Sequence, residues 1–286
     1  MTSYNNRPLY AYTNYLYRKY TCFFQGEQVM EIDQIKVLLV DDEPEFLEQA
    51  EIFLKKEDNR FVITSANTVE KALNIIENEK IDAVVSDYRM PDNDGIEFLK
   101  IIRKEKESDI PFILFTGKGW EEVAMNALNL GANKYIWKSE EPSLYEREEE
   151  PESQYSLLAD EIINEVKKFK ERENWKLAQR TMEEANVGIF WVDPEGKILY
   201  SNKAVTDMLG YDKSEILDMH VWDIDPHLEK EKREEIWNKI KEEGVRTVES
   251  EQETKDGSKI SVEITTHYVK HEDREIEFAF VRDIEY

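Results

Sequence analysis

From residue 35 onward, short apolar runs alternate with amphipathic stretches that have helical spacing. The apolar runs predict five strands, at 35–40, 60–64, 81–86, 110–115 and 133–137. The stretches between them predict four helices, at 45–57, 67–78, 94–105 and 119–130. Strands that alternate with helices of this length indicate right-handed βαβ units, which place helices on both faces of a parallel sheet. The first half of the chain is therefore predicted to be an α/β domain with a doubly wound, five-stranded parallel sheet.

A long helical pattern follows, from Ser153 to about Glu184. Apolar residues recur along its first half at helical spacing: Leu157, Leu158, Ile162, Val166 and Phe169. This half is expected to pack on the sheet as the last helix of the first domain. Beyond Phe169 the apolar positions are irregular, which leaves two alternatives open: a two-stranded connector that pairs with a second copy, or a jointed linker.

From residue 186 the pattern changes to short strands separated by turns. The sequence Asp193-Pro194-Glu195-Gly196 favours a tight turn between two short strands, so a hairpin is predicted there. Short helices near 209–217 and 229–243 are followed by three longer strands, at 247–254, 258–269 and 276–284. An antiparallel sheet interrupted by helices makes the second domain α+β.

These patterns predict the domain organisation of the chain. The expected segments are a poorly ordered leader at 1–34, a first domain at 35–172, a helical linker at 173–185 and a second domain at 186–286. Within the first domain, an acidic insertion at 139–152 is expected to be a solvated loop ahead of the last helix at about 153–172. The leader lacks the apolar core of a secretory signal. Met30 just before the first strand suggests an internal start, and whether residues 1–29 are translated is left open.

Composition narrows the classes of function. A formal net charge of −25 disfavours general binding to nucleic acid, because an acidic surface repels a phosphate backbone. The single cysteine, Cys22, excludes an internal disulfide and a cysteine-based metal site. No apolar run approaches the roughly 20 residues of a membrane span. The chain is therefore expected to be cytoplasmic, without contact to membrane or nucleic acid.

Polar side chains stand where four of the predicted strands end. Asp41 and Asp42 follow the first strand, Asp87 the third, Thr116 the fourth and Lys138 the fifth. Parallel strands bring these ends to one edge of the sheet, where open α/β folds bind ligands. Three clustered carboxylates repel one another unless a cation lies among them, and hard oxygen ligands suit Mg²⁺. With a metal held there, one carboxylate can act as a nucleophile toward phosphorus, while Thr116 and Lys138 neutralise the phosphoryl oxygens.

Residues 35–138 resemble a receiver domain of two-component signalling. The resemblance rests on the Asp41-Asp42 pair, on Ser86-Asp87-Tyr88-Arg89-Met90-Pro91-Asp92-Asn93-Asp94-Gly95, on Thr116-Gly117 and on Lys138. It implies a flavodoxin-like fold in which Asp87 accepts a phosphoryl group from a histidine kinase. It also implies that Asp42, Asp87 and the Arg89 backbone carbonyl bind Mg²⁺ directly, with Asp41 as an outer or water-mediated ligand. Thr116 and Lys138 would bind the phosphoryl oxygens.

The same resemblance assigns a switch and shows a departure from the family pattern. Thr116 and Tyr135 match the pair in which the aromatic ring turns inward when the threonine moves. Ser139 follows Lys138, where the family usually has a proline, so Lys138 is expected to be held less firmly. Arg89 and Lys118 match positions that tune the lifetime of the phosphoryl group, which the sequence does not rank.

The second domain resembles a PAS domain. The matching segments are Asn186-Val187-Gly188-Ile189, Val192-Asp193, Ser201-Asn202, Leu209-Gly210-Tyr211, Trp222-Asp223-Ile224-Asp225-Pro226, Lys255-Asp256-Gly257 and Val281-Arg282-Asp283-Ile284. PAS domains hold a small ligand or pair with partners, and the sequence does not identify a ligand here or decide whether there is one. Photoactive members attach their chromophore to a cysteine, which this domain lacks.

Two groups of side chains in this domain have competing interpretations. The four histidines are interpreted as surface residues rather than haem ligands: His220, His227, His267 and His271. Phe190, Trp191 and Tyr200 are interpreted as core aromatics rather than a cofactor site.

The two resemblances together imply a response regulator that is phosphorylated on Asp87 by a partner histidine kinase and signals through its last helix to the PAS domain. Self-catalysed phosphotransfer and dephosphorylation are expected, without a kinase or DNA-binding output domain. An aspartyl-phosphate hydrolase is rejected, because it would need an Asp two residues after Asp41, where Glu43 stands. Two alternatives remain: a non-catalytic interaction or dimerisation module, and a PAS-ligand sensor with the receiver as a secondary partner.

Overall fold

A computed structural model describes residues 32–91, 94–117, 121–138, 154–271 and 273–284. The predicted leader, apart from its last three residues, and the predicted acidic insertion lie outside the described residues. The chain divides into two compact units, with the boundary between Glu173 and Asn174. Among the described helices, none is long and apolar enough to cross a membrane.

The first unit alternates strands and helices. Its strands are β1 (Ile35–Val40), β2 (Phe61–Ala66), β3 (Ala83–Ser86), β4 (Phe112–Thr116) and β5 (Lys134–Trp137). Its helices are α1 (Pro44–Glu57), α2 (Val69–Asn78), α3 (Gly95–Lys100), α4 (Glu121–Asn129) and the first part of α5 (Gln154–Glu183). All strand pairs are parallel, and the order β2-β1-β3-β4-β5 is that of a flavodoxin-like sheet. The predicted α/β class is confirmed.

The strand β1 lies between β2 and β3 and is buried on both faces, which is why its sequence is a nearly continuous apolar run. Val37 and Leu39 belong to a core layer shared with α1 and α5, whereas Leu38 and Val40 belong to the layer on the opposite face. Polar side chains directly after such a strand leave the core at the edge of the sheet.

The third helix departs from its prediction. The pattern predicts one helix over 94–105, but α3 ends at Lys100 and continues as a π-helical turn, Ile101–Glu105. Arg103 in this turn donates to the carbonyls of Ser108 at 2.8 Å, Ile110 at 2.9 Å and Gly131 at 3.0 Å. Its guanidinium therefore fastens the turn to the starts of β4 and β5, which hydrophobic spacing does not reveal.

The second unit is built on an antiparallel sheet. Its strands are β6 (Gly188–Val192), β7 (Ile198–Ser201), β8 (Val245–Glu253), β9 (Lys259–His271) and β10 (Arg274–Asp283), in the order β7-β6-β10-β9-β8. Its helices are α6 (Lys203–Leu209), α7 (Lys213–Asp218), α8 (Val221–Ile224) and α9 (Arg233–Glu243), with a short 3-10 turn at Lys230–Lys232. The predicted hairpin and α+β class are confirmed.

Asn202 fixes the start of this sheet. The side chain is fully buried, accepts a hydrogen bond from Ile189 N at 2.9 Å, and donates to the carbonyls of Met182 at 3.0 Å and Val187 at 2.9 Å. One amide thus joins the end of α5 to β6, because its carbonyl and amino groups serve both elements.

Candidate functional site

The carboxyl ends of the parallel strands enclose a cavity of about 350 Å³. Six of the predicted site residues line it: Asp41, Asp42, Asp87, Arg89, Thr116 and Lys138. They arrive from β1, β3, β4 and β5, so the convergence follows from parallel strand direction. Tyr135, one step inside β5, packs against the core layer beside the cavity and does not line it.

Lys138 is the centre of this site. Its Nζ donates to Asp41 Oδ2 at 2.6 Å and to Asp87 Oδ1 at 3.0 Å. Its backbone N–H donates to the carbonyl of Thr116 at 2.9 Å, which continues the pairing of β4 with β5. The lysine side chain is 16% exposed, so the two ion pairs are largely shielded from bulk water and are weakened little by salt.

Asp41 is the most buried carboxylate of the site, at 3% exposure. Its Oδ1 accepts the backbone N–H of Glu43 at 2.9 Å. Burial raises the pKa of Asp41, and the ammonium of Lys138 opposes that rise without cancelling it. Asp41 therefore ionises at an energetic cost that depends on the position of Lys138.

Asp87 holds both of its oxygens in defined directions. Oδ1 faces Lys138, and Oδ2 accepts the backbone N–H of Arg89 at 2.6 Å. Gly95, at the start of α3, lets this loop close: a Cβ there would lie 2.3 Å from the Asp87 carbonyl oxygen. The glycine is required by this close approach rather than by its backbone angles.

The two predicted switch residues differ in their surroundings. Thr116 is 1% exposed at the end of β4. The Tyr135 hydroxyl is buried and has no hydrogen-bond partner among the described residues. Burial raises the pKa of Tyr135, and the negative charge of Asp87 adds to the rise.

The pattern of strand ends missed five residues that line the cavity: Phe46, Gln49, Glu43 at the N-cap of α1, Gln154 and Tyr155. The first two lie on α1 and the last two at the start of α5. The Phe46 ring lies under Lys138, with Nζ 3.7 Å from the ring centroid. Apolar spacing assigns Phe46 and Tyr155 to the core. It does not show that the start of α5 lies at this cavity.

The donor set of the cavity fits a hard divalent cation. Three carboxylates and the Arg89 carbonyl are oxygen ligands of the kind Mg²⁺ prefers. Asp42 is exposed, whereas Asp41 and Asp87 are both hydrogen-bonded to Lys138. Among the described residues, no group of three His, Cys, Asp or Glu side chains is already arranged to hold a metal ion. The fit therefore rests on donor chemistry, with Lys138 as the cation between two of the carboxylates.

One interpretation of the second unit is wrong. His267, expected at the surface, is fully buried in β9, with its ring edge-on to Phe280 at a centroid distance of 5.8 Å. Burial lowers the pKa of His267 to about 4. His227 is exposed, His220 is half-exposed, and the side chain of His271 lies outside the described part.

The aromatic interpretation agrees with the structure. Phe190 is buried in the core, and Trp191 packs on Tyr200 with ring centroids 5.0 Å apart. A cavity of about 600 Å³ near the end of α5 is lined by charged residues that include Glu183, Lys203 and Arg282. None of these observations identifies a ligand.

Two family models match the chain: the response regulator receiver domain over residues 37–147 and the PAS domain over residues 186–285. The regulatory protein VanR of Enterococcus faecium is 33% identical over 107 residues, covering 37% of this chain and 45% of VanR. The response regulator SaeR of Staphylococcus aureus is 32% identical over 106 residues, covering 37% of this chain and 45% of SaeR. The chain thus spans less than half the length of these two relatives.

A 14.6 kDa protein of Leptolyngbya boryana is 34% identical over 110 residues, covering 38% of this chain and 82% of that protein. A receiver domain from Clostridium thermocellum has a TM-score of 0.39 at 25% identity, covering 48% of this chain and 97% of that chain. The PAS domain of an HTR-like protein from Haloarcula marismortui has a TM-score of 0.38 at 28% identity, covering 41% of this chain and 99% of that chain. With both domain families matched in sequence order, the chain belongs to the response regulators of two-component systems, with a receiver domain followed by a PAS domain.

Proposed function

We propose that this chain is a phosphoacceptor: Asp87 takes a phosphoryl group from a histidine kinase in the presence of Mg²⁺. The observation that carries the proposal is the position of Asp87 in the cavity, with one oxygen 3.0 Å from Lys138 Nζ. An ammonium so placed neutralises charge on an entering phosphoryl group, which is where stabilisation is needed in phosphoryl transfer.

The proposed transfer forms one bond and breaks one. A carboxylate oxygen of Asp87 attacks the phosphorus of the phosphohistidine, the P–N bond breaks, and the imidazole keeps its electron pair. Lys138 and the Thr116 hydroxyl hold the phosphoryl oxygens in place. Asp42, Asp87 and the Arg89 carbonyl would hold Mg²⁺, with Asp41 as an outer ligand, and the ion supplies further neutralisation of phosphoryl charge. Attack by water on the acyl phosphate later releases phosphate and restores the carboxylate.

The phosphoryl group brings a charge approaching −2 to the cavity. In the proposed response, Thr116 moves toward it, and Tyr135 turns inward into the space that the threonine leaves. The hydroxyl of Tyr135 has no hydrogen-bond partner among the described residues, which supports this step, because a change of rotamer that provides a partner would be favourable. The helix α5 is the proposed route to the PAS domain, since its first part belongs to one unit and its last part to the other.

Intact mass of the full-length chain after treatment with acetyl phosphate and Mg²⁺ tests the phosphoacceptor proposal. The expected result is an adduct of one phosphoryl group in the wild type and none in Asp87→Asn. Asp94→Asn is the matched control: it changes a nearby carboxylate that caps α3, and Asn caps a helix as well as Asp does. An unmodified wild type, or an adduct that persists in Asp87→Asn, would favour the non-catalytic interaction module.

A further inference from the structure

Lys138 makes a third close contact besides its two ion pairs. An ammonium has three N–H donors, and two of them point to Asp41 and Asp87. The face of Phe46 lies on another side, with Nζ 3.7 Å from the ring centroid, well inside the range of a cation–π interaction. The ammonium is thus held from several directions rather than by its carboxylates alone.

The ring of Phe46 is itself held in place. It packs tilted against Phe115 of β4 at a centroid distance of 6.0 Å, and Phe115 meets Tyr155 of α5 edge-on at 6.2 Å. These three rings form an aromatic platform that joins α1, β4 and the first turn of α5 beneath the lysine. Phe115 is 1% exposed and Tyr155 is 5% exposed, so the platform is part of the packed core.

We propose that Phe46 is a positioning residue for Lys138, an inference that rests on the proposed phosphotransfer. The residue after Lys138 is Ser139, which does not restrain the backbone as a proline would. The ring supplies the missing restraint at the other end of the side chain: it keeps the ammonium between Asp41 and Asp87, where an entering phosphoryl group must be met. An apolar side chain of similar volume fills the same space but offers no negative π face to the cation.

Initial rates of phosphoryl gain on the full-length chain separate positioning from packing. Acetyl phosphate with Mg²⁺ is the donor, and intact mass is the readout. Phe46→Leu is expected to slow the reaction about threefold to tenfold, whereas Phe46→Tyr, which keeps a ring face, stays within about twofold of wild type. Phe61→Leu is the matched control: Phe61 is a ring of the same core layer, but it begins β2 at the end of the sheet opposite the cavity, so its loss should leave the rate unchanged.

A second measurement does not depend on phosphotransfer. Reductive methylation with ¹³C-formaldehyde places methyl groups on Lys138 Nζ, and methyl groups above a ring face resonate upfield. The wild type and Phe46→Tyr should show one upfield signal that is absent from Phe46→Leu and from Lys138→Arg. Absence of that signal from the wild type would overturn the inference.

The outcomes distinguish the two proposals. A chain that shows the upfield signal but gains no phosphoryl group contradicts the proposed function and leaves the contact between ring and lysine supported. A chain that is phosphorylated on Asp87 while Phe46→Leu reacts like wild type, or while Phe61→Leu slows it equally, overturns the positioning role alone.

Discussion

At the residue scale, the site is governed by one ammonium shared between two carboxylates of unequal burial. Asp41 is almost fully buried, whereas Asp87 borders the cavity. Removal of Lys138 would leave two carboxylates without a compensating cation, whereas removal of Asp41 leaves Lys138 paired with Asp87. In the proposed Mg²⁺ site, a bound cation would offset the cost of ionising Asp41.

The raised pKa of Asp41 gives a stability prediction. A folded-state pKa above the unfolded value means that the folded chain holds this proton more tightly, so stability is lost as pH rises through the folded value. Asp41→Asn should therefore raise the free energy of unfolding at pH 7 in buffer without divalent cations, because the amide needs no ionisation and Lys138 keeps Asp87 as its partner. This gain in unfolding free energy should shrink as pH falls toward the ordinary pKa of an Asp side chain, about 4. Urea unfolding across this pH range tests it, and a variant less stable than wild type at pH 7 would contradict it.

His267 gives the opposite pH dependence. Its pKa falls from 6.5 to about 4 on folding, so the unfolded chain binds the proton first and stability is lost as pH falls between these values. The loss should approach about 3 kcal/mol at the acid end. Thermal unfolding from pH 7 to pH 4 should show a flatter profile for His267→Leu. His227→Leu, which changes an exposed histidine, should keep the wild-type slope; equal slopes for all three chains would refute the assignment.

At the scale of elements, close approach between the β3–α3 loop and α3 shapes the side of the cavity that holds Asp87. Gly95 begins α3 directly under the Asp87 carbonyl, and Asp94 caps the helix by accepting from Glu97 N at 2.8 Å. The loop is therefore positioned by a glycine that permits close contact and an aspartate that caps the start of the helix.

Gly95→Ala should displace this loop, because its Cβ would lie 2.3 Å from the Asp87 carbonyl oxygen and 2.7 Å from Leu114 Cδ2. Backbone and a fully buried side chain cannot both give way cheaply, so a loss of about 2 kcal/mol or more in unfolding free energy is expected. Gly257→Ala, at an open turn with φ of 84°, should cost only about 1 kcal/mol and leave phosphoryl gain unchanged. Chemical denaturation and intact mass measure both effects, and a Gly95→Ala chain as stable as wild type would contradict this account of the loop.

At the scale of the whole molecule, the sequence predicts the two folds and most of the cavity for one physical reason. Apolar runs locate parallel strands, and parallel strands bring their ends to one edge, so Asp41, Asp87 and Lys138 meet without any need for side-chain detail. Phe46 and Tyr155 were beyond this reasoning, because their place at the cavity depends on how α1 and α5 pack. The burial of His267 could have been predicted from the sequence. Alternation along a strand places His267 on the same face as Val269, which is also buried.

The helix α5 is the element that both units share. Leu158 and Ile162 pack in the core of the first unit, and Ala178 and Met182 in the core of the second. Polar contacts add to each end: Lys170 pairs with Asp82 at 3.1 Å, and Glu183 accepts from the Tyr200 hydroxyl at 2.9 Å. Transmission through this helix, as proposed, would require contacts with two discrete arrangements in each unit.

The most direct test of the central claim is to locate the phosphoryl group. The full-length chain is treated with acetyl phosphate and Mg²⁺, reduced with borohydride, which converts an aspartyl phosphate to homoserine, and sequenced by peptide mass spectrometry. We expect conversion of Asp87 and of no other carboxylate that lines the cavity. Conversion of Asp41 or Asp42, or no conversion at all, would contradict it.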